Sequence, residues 1–217
     1  MSYTIGIDVG GTKVLGGVVD EAGKILATAR KDTPRQGGMA LTQTIADTAK
    51  ELMNSFEIDS VGVSAAGFVS SDRKTMLATP NIAGWNGVDL DYELTSLIGL
   101  PVVIENDANA AALGEFYFSP EKATMPEDFV FITLGTGVGG AAVIDRKIFL
   151  GGDGNAMEPG HVPSRDGKVL ERNVGKKELL QMATAMRAAY TGKTSLPADG
   201  SISTTALVVG AEEGDEL

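Results

Sequence analysis

The sequence predicts an α/β fold made of two similar lobes on either side of a cleft. One observation is the order of the predicted elements, in which three short strands precede a helix and further strands and helices then alternate. The other is a repeat, because a strand, a glycine turn and a second strand open the chain and recur near residue 135. We therefore expect one lobe over residues 1–106 and a second, incomplete lobe over residues 107–217.

Three strand-like runs begin the chain, at residues 3–9, 13–20 and 24–31. Apolar and β-branched residues dominate these runs, and glycine-containing turns separate them. Short connections favour pairing between consecutive strands, so we expect an antiparallel meander.

The first helix is predicted from a stripe of apolar residues. Leu41, Ile45, Ala49, Leu52 and Phe56 follow one another at spacings of three and four, which places them on one buried face. The same patterns predict the remaining elements, which are a strand at 60–65, a helix at 90–98, a strand at 102–104, a helix at 108–118, strands at 129–134 and 140–145, and a helix at 176–190.

The end of the chain lacks a strand that would close the second lobe. A polar stretch follows the helix at 176–190, and residues 212–216 are mostly acidic and are expected to be solvated. Either the domain ends early or the chain is a fragment.

The composition excludes several classes of protein. The 217 residues are 43% hydrophobic and 22% charged, as in a globular protein, and no apolar run approaches the roughly 20 residues of a membrane span. The N-terminus carries no export signal and the chain has no cysteine, so we expect a cytoplasmic location. The net charge of −11 and the scattered basic residues argue against binding to nucleic acid.

The first glycine turn is suited to binding a phosphate group. Gly10 and Gly11 let the backbone approach a large anion, while Thr12 and the amide groups beside it, up to Lys13, can donate to phosphate oxygens. Asp8 is an anion itself, and its predicted role is to hold Mg²⁺ through water. An ordinary hairpin turn is the alternative, because two glycines favour one.

The second glycine turn, residues 135–140, matches the pattern G-x-G-x-x-G of dinucleotide-binding proteins. That pattern requires a helix to begin at the glycines, whereas residues 141–144 are short and β-like, so we reject a dinucleotide site. The chain has no Walker A sequence either. A phosphate-binding hairpin is predicted instead, with Gly135, Thr136, Gly137 and Gly139 as its candidate residues.

A third site combines Glu105, Asn106 and Asp107, where a predicted strand ends and a helix begins. The Asp107 carboxylate can accept the proton of a substrate hydroxyl as that oxygen attacks phosphorus, and Asn106 can position the sugar. A helix cap is an equally good interpretation, because Asn and Asp both favour that position.

A fourth site contains the single histidine of the chain, His161, three residues after Glu158. A lone histidine is more often structural than functional. The surrounding loop is rich in glycine and proline, however, and its carboxylate and imidazole can each hold a sugar hydroxyl in a fixed orientation.

Taken in order, these four sites resemble the ROK family, which includes bacterial glucokinases, fructokinases and N-acetylhexosamine kinases as well as transcriptional repressors. Residues 8–13 look like its first phosphate motif, 79–85 like its sugar loop, 105–112 like its catalytic segment and 135–140 like its second phosphate motif. The resemblance covers most of the chain. It implies an actin-like ATPase fold of the ribonuclease H-like type and a kinase that transfers the γ-phosphoryl group of ATP, with Mg²⁺, to a hexose hydroxyl.

The resemblance also implies residue roles, with Asp107 as the catalytic base. Glucose is the first expected substrate, while mannose, N-acetylamino sugars and polyphosphate as the donor stay open. A homodimer is one possible state, since relatives often pair. The residues implied to bind the sugar are Gly67 through its backbone and Asn81, Asn106, Glu158, His161 and Glu171 through their side chains.

Two departures from the family pattern bear on activity. The cysteine-rich zinc motif that commonly precedes the position of Glu171 is absent, so no zinc site of that kind is expected and the loop is expected to be ordered by packing alone. Relatives also continue for roughly another hundred residues, which normally supply the adenine-binding glycines. An inactive, truncated sugar-binding protein is therefore the alternative. A repressor-type sensor would need a helix-turn-helix ahead of the first phosphate motif, which here starts at residue 8.

Overall fold

The computed structural model describes residues 2–80 and 82–216, and it confirms the predicted alternation of strands and helices. The strands are β1 Tyr3–Val9, β2 Lys13–Val19, β3 Ile25–Asp32, β4 Ile58–Ala65, β5 Phe68–Val69, β6 Thr75–Ala78, β7 Val88–Asp89, β8 Val102–Asn106, β9 Phe129–Leu134, β10 Val138–Ile144 and β11 Lys147–Ile148. The helices are α1 Gly38–Met53, α2 Leu90–Ile98, α3 Asp107–Phe118, α4 Glu171–Val174, α5 Lys176–Ala189 and α6 Thr204–Glu212, with a 3₁₀ turn at Pro159–His161.

The predicted meander forms three strands of a five-stranded sheet. Strand order is β3-β2-β1-β4-β8, with β1, β2 and β3 antiparallel to their neighbours along the chain. Strands β4 and β8 extend the sheet and run parallel to β1. Helix α1 precedes β4, while β5, β6, β7 and α2 lie between β4 and β8. The three parallel strands therefore end at the same edge of the sheet.

The predicted apolar stripe of α1 covers one face of this sheet. Leu41 and Ile45 are fully buried there, against the inward residues Ile5 and Ile7 of β1. The approach is close at Gly16, where a Cβ atom would lie 2.8 Å from the Thr48 methyl group. Alternation along the strands thus decides which side chains enter the core.

The opposite face of the sheet has a floor of glycines. Gly6 of β1 pairs in register with Gly17 of β2 and with Gly62 of β4. Because these three residues carry no side chain, they leave a shallow groove whose far end lies at the carboxyl ends of the parallel strands.

The structure adds elements that sequence patterns did not predict. Strands β5, β6 and β7 form a small antiparallel sheet, but each has only two to four residues. Helix α6 follows the helix at 176–190 in the stretch described only as polar, where no helix was predicted. The acidic end is also tied to the chain, since Asp215 accepts hydrogen bonds from Thr194 and Ser195.

The chain divides into two compact units. One comprises Met1–Phe131 and Ala141–Ala156, and the other comprises Ile132–Gly140 and Met157–Leu217. Each unit is a group of residues that pack mainly with one another. The two lobes predicted at residues 1–106 and 107–217 stay a prediction. Within the described ranges, no helix combines the length and apolar character needed to cross a membrane.

Candidate active site

Three polar side chains form a row across the carboxyl ends of the parallel strands. Asp8 pairs with Ser64 in the sheet, and Ser64 pairs with Glu105. The Ser64 hydroxyl donates a hydrogen bond to Asp8 Oδ1 at 3.2 Å. With Asp107 they line the end of the glycine-floored groove, which has a volume of about 670 Å³. This is the edge of a parallel sheet where ligands of α/β proteins usually bind.

Asp107, the predicted base, is the first residue of α3 and shares this groove with Asp8. The residue as a whole is exposed, but the protein around its carboxyl group removes part of the hydration. This burial raises the pKa of Asp107 above its ordinary value, and the negative charge of Asp8 raises it further. A hydrogen bond from the Ala108 N–H, at 2.9 Å, acts in the opposite direction. A carboxylate with a raised pKa is suited to accept a proton.

The helix-cap interpretation applies to Asn106. Its Oδ1 atom accepts from the N–H groups of Ala108 at 2.9 Å and Asn109 at 3.1 Å. Its Nδ2 atom donates to the Gly67 carbonyl at 3.1 Å. The Asn106 side chain also interacts with the Asp107 carboxyl by hydrogen bonding, which acts to lower the pKa of that group.

Gly67 has a backbone that only glycine adopts easily, with φ of +140°. A Cβ atom there would lie 2.5 Å from the Ala78 carbonyl oxygen. The Gly67 carbonyl already accepts from Asn106, so the two predicted sugar ligands are bonded to each other. Asn81, another predicted ligand, lies outside the described residues.

The first glycine turn is an open hairpin. The Gly10 N–H donates to the Lys13 carbonyl at 2.9 Å, and Thr33 holds the turn from the side through its hydroxyl, which donates to the Gly10 carbonyl at 2.7 Å. Gly11, Thr12 and Lys13 are exposed, and a Cβ atom on Gly11 would meet nothing within 4 Å. The turn is therefore both an ordinary hairpin and accessible to an anion.

The second glycine turn holds a carboxylate of the chain itself. Glu171 Oε2 accepts from the Val138 N–H at 3.0 Å, and it would lie 2.1 Å from a Cβ atom on Gly137. The Gly135 carbonyl accepts from the N–H of Lys176, at the start of α5, at 3.1 Å. Glu171 was predicted as a sugar ligand, and here it contacts the predicted phosphate motif, in which Thr136 is exposed and Gly139 is half-buried.

Glu158 and His161 flank a 3₁₀ turn beside this second hairpin. The His161 N–H donates to the Glu158 carbonyl at 3.1 Å, and the imidazole is exposed. Between them, Gly160 packs so closely that a Cβ atom would lie 2.4 Å from the Val138 carbonyl oxygen. Glu158, His161 and the second glycine turn therefore belong to one compact unit.

The loop that lacks the zinc motif is ordered by hydrogen bonds, so the expectation of packing alone was wrong. Asp166 Oδ1 accepts from the Ser164 hydroxyl at 2.6 Å, from the Lys168 N–H at 3.1 Å and from Asn173 Nδ2 at 3.2 Å. These donors hold the pKa of Asp166 well below its ordinary value, with the Ser164 hydroxyl contributing most. They connect the strand-like residues after His161 to the helix that begins at Glu171.

The predicted site residues thus fall into two groups. Asp8, Asn106, Asp107, Gly67 and the first glycine turn belong to the first compact unit, and the second glycine turn, Glu158, His161 and Glu171 belong to the other. Sequence reasoning missed Ser64, although its place at the end of a strand next to β1 was a usable signal. Within residues 2–80 and 82–216, no three His, Cys, Asp or Glu side chains are arranged to hold a metal ion by themselves.

Comparison with known proteins points to the same family that the sequence motifs resemble. The model of the ROK family matches residues 4–193. The chain is 44% identical over 162 residues to a glucokinase of Streptomyces coelicolor, a match that covers 75% of this chain and 50% of the relative. The chain spans about half the length of the curated relatives it matches.

Two solved structures resemble the chain along nearly its whole length. A ROK family glucokinase from Streptomyces griseus, in complex with glucose and AMPPNP, is 35% identical with a TM-score of 0.79. A putative sugar kinase from Cytophaga hutchinsonii is 33% identical with a TM-score of 0.85. Each match covers 99% of this chain and 72% of the solved one.

Proposed function

The chain belongs to the ROK family and has the predicted actin-like ATPase fold, and from this premise we propose that it forms the catalytic part of a hexose kinase. The reaction is the transfer of the γ-phosphoryl group of ATP to a sugar hydroxyl. The observation that carries the proposal is the Asp107 carboxylate, which has a raised pKa and lines the same groove as Asp8 at the ends of three parallel strands.

In this proposal Asp107 takes the proton of the attacking hydroxyl. The sugar oxygen forms a bond to the γ-phosphorus as the bond from that phosphorus to the β,γ-bridging oxygen breaks, and ADP leaves with that oxygen. The Asn106 side chain orients the sugar, and Glu158, His161 and Asn81 are further candidate sugar ligands. Backbone N–H groups of the first glycine turn hold the phosphates and stabilise the negative charge of the transition state, and the second glycine turn is a further candidate for binding phosphate.

The residues at the strand ends suit a hydrated Mg²⁺ ion. Mg²⁺ usually binds through one or two carboxylates and keeps several waters. Asp8 is exposed and lies near a second carboxylate whose pKa it raises, so a cation there would relieve the repulsion. When bound, the ion would neutralise charge on the phosphates, and Asp8 would hold it through water.

The relatives support the choice of substrates. The glucokinase from Streptomyces griseus binds glucose and a non-hydrolysable ATP analogue, so glucose and ATP are the first pair to test. Mannose, N-acetylamino sugars and polyphosphate remain further candidates. A cytoplasmic location and a homodimer are parts of the same proposal, and light scattering of the purified chain tests the second of them.

Sugar binding without transfer is the second candidate function. One observation favours it: the Glu171 carboxylate occupies the second glycine turn. Under this alternative, sugar binds but no phosphoryl group is moved.

A coupled assay for ADP release, run with a panel of hexoses, separates the two candidates. For Asp107→Asn we expect transfer to fall by about 10²- to 10⁴-fold, because a positioned base contributes that much, while sugar binding persists. Asp47→Asn, the same change on an exposed position of α1, serves as the control and retains full activity. Full activity in Asp107→Asn contradicts the kinase proposal, and sugar binding by an inactive wild-type chain supports the alternative.

A further inference from the structure

Arg73 lies in the turn between β5 and β6 with a backbone that favours glycine. Its φ is +61°, in the left-handed region that is costly for residues with a side chain. The turn itself is a tight hairpin, in which the Arg73 N–H donates to the Ser70 carbonyl and the Ser70 N–H donates to the Thr75 carbonyl, both at 2.9 Å. Glycine would therefore satisfy this turn better than arginine.

The Arg73 side chain turns inward to Glu105. Arg73 Nε lies 3.1 Å from Glu105 Oε2, and the two side chains are only 14% and 18% exposed. Arg73 Nη1 also donates to the Gly154 carbonyl at 3.3 Å. Nη2 is buried and has no hydrogen-bond partner among the described residues, which is a second cost of having arginine here.

Glu105 connects Arg73 to the segment that carries the candidate base, Asp107. Its Oε1 atom accepts from the Asn106 N–H at 2.8 Å and from Asn109 Nδ2 at 3.0 Å. The two oxygens of one carboxylate therefore connect Arg73 to the start of α3. Asp107 lies between the two residues that Glu105 holds.

Gly154 belongs to a loop that packs on the same hairpin. Asn155 Oδ1 accepts from the Val69 N–H at 2.9 Å, and a Cβ atom on Gly154 would lie 2.8 Å from the Ser71 nitrogen. This loop precedes Glu158 by only a few residues. Arg73 thus contacts both the segment that carries the candidate base and the loop that leads to a candidate sugar ligand.

We propose that Arg73 is a positioning residue, which holds Glu105 and thereby the first turn of α3 so that the Asp107 carboxylate keeps its place in the groove. The catalytic part of this inference rests on the proposed kinase function. An arginine fork is suited to the task, because its separate N–H groups can bond a carboxylate and a carbonyl at fixed angles, which a lysine cannot do.

The decisive variant is Arg73→Gly, which suits the backbone of the turn and removes only the side chain. We expect kcat to fall by about 10- to 100-fold, because small displacements of a catalytic group are costly, while KM for the sugar changes less. Guanidinium added well below denaturing concentrations should restore part of kcat in this variant. Arg73→Lys should be intermediate. Arg35→Gly, at an exposed arginine for which no hydrogen bond or ion pair is described, is the control and should be unaffected by guanidinium.

Hydrogen exchange at the Ala108 and Asn109 amides gives a readout that does not depend on catalysis. Both amides are capped by Asn106, so we expect faster exchange in Arg73→Gly and recovery with guanidinium. If the wild-type chain transfers no phosphoryl group, the kinase proposal fails while this measurement still tests Arg73.

Two outcomes would overturn the role of Arg73. One is a folded Arg73→Gly protein with wild-type kcat and wild-type exchange at these amides. The other is a loss of activity that guanidinium does not reverse and that equals the unfolded fraction, which is what a purely structural residue would show. If Arg73→Gly does not fold, Arg73→Lys is used to measure the same changes in kcat and in amide exchange, which are expected to be smaller.

Discussion

At the first glycine turn, the side of Gly11 is open, whereas at the second a carboxylate oxygen of Glu171 contacts the backbone at Gly137 and Val138. Both turns connect two neighbouring strands of a sheet, and both present backbone N–H groups. The difference comes from a residue 33 positions along the chain from Val138. A glycine turn can therefore have the sequence of an anion site and still hold an anion supplied by its own chain.

The surroundings of the two turns differ as well. Thr33, just after the end of β3, supports the first turn and leaves the outer side of that turn exposed. The second is enclosed by the 3₁₀ turn at Pro159–His161 and by the start of α5, whose Lys176 N–H donates to Gly135. We expect the second turn to be less tolerant of added volume and weaker in binding phosphate until Glu171 moves.

The largest effect should come from Gly160→Ala. The new Cβ atom would lie 2.4 Å from the Val138 carbonyl oxygen, so the backbone itself must shift, at a cost of about 1–3 kcal/mol in the free energy of unfolding. Gly11→Ala, on the open turn, should stay within about 0.5 kcal/mol of wild type. Urea unfolding of both variants tests the contrast, and equal stability would show that the second turn is not enclosed.

Next in size is the effect of Glu171→Gln on anion binding. Removing the negative charge from the second turn should tighten binding of tripolyphosphate about tenfold, since hydrogen bonds to charged groups contribute about 1.5–3 kcal/mol. Calorimetry measures this, with Glu212→Gln, on the exposed end of α6, as a control of equal charge. Unchanged tripolyphosphate binding combined with weaker sugar binding would instead assign Glu171 to the sugar.

In the unit that carries the first glycine turn, the titration of Asp107 should depend on the charge of Asp8. Because the pKa of Asp107 is raised in the folded chain, folding is opposed by its ionisation: this cost is absent below the ordinary pKa, grows as pH rises toward the raised value and persists above it. Asp8→Asn removes only the repulsion between the two carboxylates. The pKa of Asp107 should therefore fall but stay above its ordinary value because of burial. A carboxyl ¹³C NMR titration tests this, and an unchanged pKa would mean that Asp8 and Asp107 do not interact.

The smallest effect concerns Asp166, in the loop between His161 and Glu171. Its pKa is lowered in the folded chain, so its stabilising contribution is present above the unfolded value of 3.8 and is lost as pH falls below that value toward the folded one. Asp166→Asn should therefore flatten the dependence of stability on pH in the acid range. Acid unfolding followed by circular dichroism measures the slope, and wild-type slope in the variant would exclude the hydrogen-bond network as its source.

Local patterns were sufficient for the elements that have a strong period. The stripe from Leu41 to Leu52 predicted α1, and runs of apolar and β-branched residues between glycine turns predicted β1 and β2. Strands β5 to β7 were not predictable in this way, because two to four residues cannot display a period. Helix α6 was missed because it follows a polar stretch and its own sequence has no clear apolar stripe.

The sequence by itself determined the order of strands and helices, the two glycine turns and the identity of Asp107 as a candidate base. Those features depend on neighbouring residues, whose spacing decides backbone conformation and burial. Only the tertiary structure decided that Asp8, Ser64 and Glu105 form a row, that Arg73 holds Glu105, and that Glu171 lies on the second turn. These contacts join residues 32 or more positions apart, and strand register and loop packing, which no local pattern records, bring them together.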